Sequence, residues 1–446
     1  MVVRKTVKFE GRGKFFTILI LTVVLLMAVV TVVMASVYGF KDDSAVIIVV
    51  ISHLISIVVI VYSAFMVRDI ELEEKKRKLE GLEKEPVYPV EFHGEYKSYV
   101  ARKLLFIFFC VIVCVAVTGI SCTIGSRDIG FFEAYEIIFN HIRGVRHPPG
   151  SLDWLDWYVI WNVRLPRIAA GLIAGASLAI CGTVMQSVLR NPLADPYTTG
   201  VSSGVCFGAA LALVFGFSVT TVVGKYGLIL NAFLFGIIPS MVVAVVSRMP
   251  RSTTATVILA GVAMSYLFSS FTTLMLVSTG VEEIHKVYHW QIGSITDLMW
   301  SDVRIMLVMT LIGAALVMFT SRKLNLMMLG DESAKSLGLD AATYRMLCLI
   351  LVSLMAASIM SFTGVIGFVG LVSPHIVRMV IGADNKFTIP GSIALGAAML
   401  LSADLLGRLI VPSGEIPVGI VMSFVGGPLF LYFIIRQKKA YGERVS

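Results

Sequence analysis

His375 and Arg378, in the run SPHIVR, stand one helical turn apart, a spacing at which two side chains share a helix face. Such a pair could move a proton. The sequence fixes neither a nucleophile nor a carboxylate beside it, however, so a structural role or a contact with another subunit is favoured. Asp404 lies in an apolar run, where a carboxylate is a candidate ion or proton relay, and Arg408 one turn later neutralises it. Arg164 and Arg167 precede another apolar run. With Arg408, they are read as exposed guanidinium groups able to bind carboxylates bidentately. Cys110 and Cys114 share a face, but the six cysteines are scattered without a CxxC pair, and packing is the preferred reading. His53, His93, His141, His147, His285 and His289 are dispersed and make no ligand set of recognisable spacing. The chain contains no G-x-x-x-x-G-K-[ST] run and no H-E-x-x-H, so ATP hydrolysis and zinc proteolysis are not expected of it. The expectation is a chain with no catalytic residue and no metal ligand.

These residues must be positioned by helices in lipid. Of 446 residues, 57% are hydrophobic and only 15% charged, with mean hydropathy +0.87, whereas a soluble domain is about a quarter charged. Apolar runs near the 20 residues that a bilayer core requires recur along the length, without barrel alternation. The first two, Phe15–Val37 and Ala45–Val67, form a transmembrane hairpin over residues 1–67, the first being too long for a signal-peptide core. A linker dense in both charge signs, residues 68–99, reads as a solvated cytoplasmic helix and marks the boundary with a domain over 100–446. Ten apolar segments follow, several of them short or interrupted by Gly and Pro. The fold class is an all-α polytopic membrane protein of about 12 spans. Starting the N-terminus inside places most Lys and Arg, and both termini, in the cytoplasm. The net charge of +8 follows this loop bias and does not point to nucleic acid. Gly- and Ala-rich stretches, GLIAGASLAICG and GSIALGAAMLLSAD, suit close helix approach and an inverted repeat.

Three stretches are too polar and specific to be spans alone: Arg164 to Gly204, Leu324 to Arg345, and Gly367 to Leu431. The LGDESAKSLG run places Asp331 and Glu332 at a helix start, favourable to the helix dipole, with Gly338 to stop it. The two prolines of NPLADP, with Asn191 and Asp195 to bond nearby backbone, make a rigid turn. Taken in order, NPLADP, LGDESAKSLG, FVGLVSPHIVR and EIPVGI closely resemble the FecCD-type permeases of binding-protein-dependent ABC importers, over roughly Ala101 to Gln437. Those permeases carry iron-siderophores, haem and cobalamin, and in some members oxyanions such as molybdate.

The resemblance implies a ten-helix type II importer core, with the N-terminal hairpin as an addition. It implies a homodimeric permease of the cell membrane, two cytoplasmic ATP-binding subunits that use ATP and Mg, and an extracytoplasmic substrate-binding protein. The chain itself would bind no cofactor. Leu329, Gly330, Asp331, Ser333, Ala334, Lys335, Leu337 and Gly338 would couple to the ATPase, and Arg164, Arg167 and Arg408 would dock the binding protein. Two helices, about Val257–Val277 and Ile416–Ile435, would line the pathway with Ser265, Ser269, Thr272 and Ser423. Their uncharged character suits a bulky chelate rather than a naked metal ion. The rival is a gradient-driven secondary transporter, for which Asp404 is the one plausible intramembrane carboxylate.

Overall fold

A chain in hydrocarbon must close its backbone hydrogen bonds within each segment, which makes helices of long apolar runs. The computed structural model follows that constraint. It describes residues 90–442, apart from 126, 128, 220–223, 250–251 and 411–414, with side chains from 99 to 430. The expected N-terminal hairpin and most of the charged linker lie outside the described residues. Among those described there are helices and turns but no strand.

Helices α1 (Val90–Thr123), α2 (Phe131–Ile142) and α3 (Leu152–Tyr158) come first. A one-turn π segment, Val159–Arg164, leads into α4 (Leu165–Leu189). Then follow α5 (Val201–Phe215), α6 (Lys225–Ser247), α7 (Thr254–Val277), α8 (Val281–Gln291) and α9 (Trp300–Phe319). Short helices α10 (Ser321–Met328) and α11 (Asp331–Ser336) precede α12 (Ala341–Thr363), α13 (Val369–Ile381), α14 (Asn385–Ile410) and α15 (Val418–Gly442). Seven helical segments are long and apolar enough to cross a membrane, and three shorter apolar ones are Val201–Phe215, Val369–Ile381 and Val418–Phe430. Together they cover the ten expected segments.

The described residues fall into two compact units. The smaller includes Phe132–Tyr158; the larger takes in Tyr99–Phe131 and the chain from Val159 onward. Within the smaller, Trp157 Nε1 donates to His141 Nδ1 at 2.6 Å and Trp154 stacks on Tyr158.

In the larger unit α4 is the axis, buried along nearly its whole length and packed by α9, α12, α13 and α14. Small residues make this possible. A Cβ on Gly182 would overlap the Gly370 carbonyl oxygen of α13, and one on Gly175 would strike the backbone of Gly396 and Ala397 in α14. The two Gly- and Ala-rich stretches therefore pack against each other, backbone on backbone.

Candidate functional site

Two polar regions stand at opposite ends of the helical core. The first is built around α11. Gly330, at φ +106, and Gly338, at φ +84, hold conformations that a side chain disfavours, and they bound the six-residue helix between them. At its C-terminus the Leu339 N–H bonds the Ala334 carbonyl and the Gly338 N–H bonds that of Lys335, the paired pattern of a Schellman stop. Asp340 then caps α12 through the Thr343 N–H and hydroxyl. A surface element of fixed length results, with acidic residues at its positive end.

Asp331 tethers this element. Arg345, on α12 and 3% exposed, brings Nη2 within 2.6 and 2.7 Å of the two carboxylate oxygens, and Arg190 Nη2 lies 3.4 Å away. Arg190 ends α4 in a left-handed conformation, so one carboxylate ties α11 to both long helices. Beside it opens a cleft of roughly 600 Å³, lined by Arg190, Arg345, Asp331, Glu332 and the start of α7 at Thr253 and Thr254. Leu329 and Leu337, which flank α11, are 62% and 60% exposed, and Glu332, Ser333, Lys335 and Gly338 are exposed between or beside them. Of the eight residues expected to face a partner, Ala334 does not: it is fully buried within the chain, packing α11 down. Asp331 is likewise half-buried and committed to arginine.

The NPLADP turn sits next to this cleft. Asn191 Oδ1 accepts from the Leu193 N–H, and Asp195 Oδ1 accepts from the Tyr197 N–H at the start of a 3₁₀ turn, Pro196–Thr199. Burial pushes the Asp195 carboxyl up to about 7 against the opposing pull of its backbone N–H bonds. Arg378 does structural work nearby. It donates to the Thr183 carbonyl, Ser187 Oγ, Asn385 Oδ1 and the Ala383 carbonyl, joining α4, α13 and α14. Asn385 also donates to Asn325 Oδ1 of α10, so the network runs from the packed core to the helix that leads into α11.

The second region corrects the expectation of three exposed arginines. Arg164 is 4% and Arg167 7% exposed, and the Arg408 side chain is also buried, at 4%. Arg164 is consumed by backbone: it donates to the carbonyls of Cys122, Thr123 and Arg127, closing the end of α1. Arg167 places Nε and Nη2 at 3.0 and 2.8 Å from Asp404 Oδ1, and Nη1 at 2.6 Å from Glu415. Arg408 lies 3.1 Å from Asp404 Oδ2 and donates to the Ser121 and Ile124 carbonyls. Charges at the ends of spans are costly to bury, and here each finds partners inside the chain. Sequence spacing found the Asp404–Arg408 pair. It missed Arg167, whose carboxylate partner is 237 positions away.

The pathway candidates divide. Ser269 is exposed and Ser265 half-buried on α7, and Ser423 is exposed on α15. Thr272 is not on a free surface: it is 5% exposed, a correction to its expected place. The hydroxyls of Ser265, Thr272 and Ser423 all bond the carbonyl four residues earlier, which removes their polarity from the helix surface. The exposed face of α7 also carries apolar and aromatic side chains, Leu259, Tyr266, Leu267, Phe271 and Leu274, beside the small hydroxyls of Ser270 and Thr273.

Residues 110–436 match the FecCD transport family. The chain belongs to that family. A Methanocaldococcus jannaschii protein assigned as an ABC transporter permease is 36% identical over 352 residues, 77% of this chain and 98% of its own. The hemin transport system permease of Yersinia pestis is 35% identical over 283 residues, covering 64% of this chain and 85% of that one. A solved structure of an ABC transporter assigned to the metal-chelate type, in an inward-facing conformation, superposes with TM-score 0.64 at 31% identity. It covers 74% of this chain and 98% of that one. Other relatives are named as cobalamin and molybdate import permeases. As a FecCD-family member, this chain is a polytopic membrane permease, the transport subunit of an ABC importer.

Proposed function

We propose that this permease passes a bulky metal chelate of the haem, iron-siderophore or cobalamin kind, along a pathway between two copies of the chain. The observation that carries the substrate class is the character of α7 and α15. No charged residue occurs from Thr254 to Val277 or from Val418 to Ile435, and the hydroxyls of Ser265, Thr272 and Ser423 are turned back on their own helices. A wall of this kind can slide past an encapsulated metal. It offers neither the ligands a bare cation needs nor the cations that would hold an oxyanion. The relative named for molybdate makes the oxyanion the second reading, and the uncharged helices weigh against it.

Energy enters at α11. Its exposed Leu329 and Leu337, with Glu332, Ser333 and Lys335, form a knob for a cleft in a separate cytoplasmic ATP-binding subunit, present in two copies. The Asp331–Arg345 and Asp331–Arg190 contacts carry its displacement to α12 and α4. On this reading the α11 end, and both termini, lie in the cytoplasm. At the other end a binding protein delivers the chelate. Since Arg164, Arg167 and Arg408 are engaged within the chain, their part in docking is to shape that surface, with half-exposed Glu415 at its edge. A gradient-driven mechanism would need Asp404 to exchange a proton or ion, whereas its two oxygens are taken up by guanidinium groups, Arg167 on Oδ1 and Arg408 on Oδ2.

The test is purification of the tagged chain from its native membrane in mild detergent, with identification of co-purifying subunits. A Walker-motif ATPase is expected, lost in Leu329→Glu and Leu337→Glu, which alter exposed side chains only. Its absence under several detergents and crosslinking would overturn the coupling role of α11.

A further inference from the structure

Helix α8 joins α7 to α9 at the end of the bundle away from α11, since each of those helices runs a full span between the two ends. One of its faces is packed: Val287 is 1% exposed and clusters with Ala210 and Met275, against Phe207 and Leu211 of α5. On the opposite face Glu282, His285, Lys286 and His289 are all exposed. His285 and His289 are four residues apart, and their ring centroids lie 6.2 Å from each other with planes tilted by 31°. Among the described residues neither imidazole has a hydrogen-bonding partner on this face, while Lys286 is drawn onto Glu282 at 2.7 Å.

We propose that His285 and His289 form a two-imidazole site for a divalent d-block cation, copper(II) or zinc(II). Two nitrogens one helical turn apart can reach one ion at about 2.0–2.1 Å each, with water in the remaining positions. Ring centroids in such a pair lie near 5 Å, so solvent-exposed rotamers must close by roughly 1 Å, a movement that costs little at a free surface. Among the described residues no third His, Cys, Asp or Glu joins the pair in a ligand group, so water completes the coordination. Imidazole nitrogen favours copper over zinc at a site of this kind. The sequence alone does not single the pair out, because H-x-x-x-H without the intervening glutamate occurs on any helix. The free, unpacked face is what distinguishes it. The metal site stands on the geometry alone; its location outside the cell rests on the importer reading.

Copper(II) binding to the full chain, purified through a tag without histidine, tests the site by calorimetry and electron paramagnetic resonance. The wild-type chain is expected to bind one more equivalent than His285→Asn/His289→Asn, with a nitrogen-ligated spectrum that the double variant lacks. Either single variant should weaken that equivalent by roughly tenfold or more. Equal stoichiometry in wild type and double variant overturns the site. Zinc protection of these histidines from a membrane-impermeant acylating reagent reports sidedness separately. Protection seen in inverted vesicles and not in intact cells would refute the orientation while leaving the metal site standing.

Discussion

Asp404→Asn removes one negative charge from the buried cluster of Arg167, Asp404 and Arg408 and leaves its shape intact. Asp404 is 1% exposed, takes two bonds from Arg167 on Oδ1 and lies 3.1 Å from Arg408 on Oδ2. Taking one partner from a buried ion pair costs about 3–5 kcal/mol, because the other charge is left uncompensated. Two features place this case at the lower end. Glu415 still holds Arg167 Nη1 at 2.6 Å, and Arg408 keeps the Ser121 and Ile124 carbonyls. The expected loss is about 3 kcal/mol, on the order of a hundredfold in the folded-to-unfolded ratio. Equilibrium unfolding in mixed micelles, followed by near-UV circular dichroism, measures it. Arg167→Gln combined with Asp404→Asn should cost less than the sum of the two, since the partners share one interaction. Reconstituted with its ATPase, the folded fraction of Asp404→Asn should still take up substrate in an ATP-dependent way. A variant as stable as the parent within about 0.5 kcal/mol would refute the buried-pair argument. Uptake that fails on collapse of a proton gradient but survives ATP depletion would refute the importer mechanism.

Gly182→Val should prevent α13 from seating on α4, because the new Cβ meets the Gly370 carbonyl, whereas Gly427→Ala, with open space around it, should be neutral; size-exclusion profiles and yield of folded protein separate the two. Asp195 has a folded pKa raised to about 7, so ionising it opposes folding: its contribution is full below the unfolded value near 4 and is lost as pH rises through 7. Asp195→Asn keeps the acceptor for the Tyr197 N–H and should flatten stability between pH 4 and 7, read from unfolding midpoints across that range.

Most of the described fold was legible in the sequence because lipid leaves few alternatives: an apolar run of sufficient length becomes a helix, and Gly or Pro marks its end. The six-residue α11 was legible too, since Asp331, Glu332 and Gly338 carry local capping information. What local sequence could not carry was pairing across the fold. Arg164 reads as exposed until α1 brings its carbonyl-bearing end against it. Thr272 reads like its neighbour Ser269 until helix packing covers one and leaves the other. Ala334, within a run most of whose members face outward, is the residue that the helix needs underneath. His285 and His289 belong to the same class, since their meaning depends on which face of α8 is packed.

The full enclosure of α4 has a consequence for how the chain is made. Synthesis delivers α4 to the bilayer long before α12, α13 and α14 exist, so its Gly- and Ala-lined faces first meet lipid tails and its Arg167 waits for a carboxylate 237 residues downstream. Helices that insert singly and then associate must finish by exchanging lipid for protein around this one. A nascent chain that stops short of Asp404 exposes an uncompensated guanidinium group at a membrane depth where charge is costly, which marks it as incomplete. The central helix is thus the last to be sheltered, and the ion pair at its Arg167 end closes only when synthesis is nearly done.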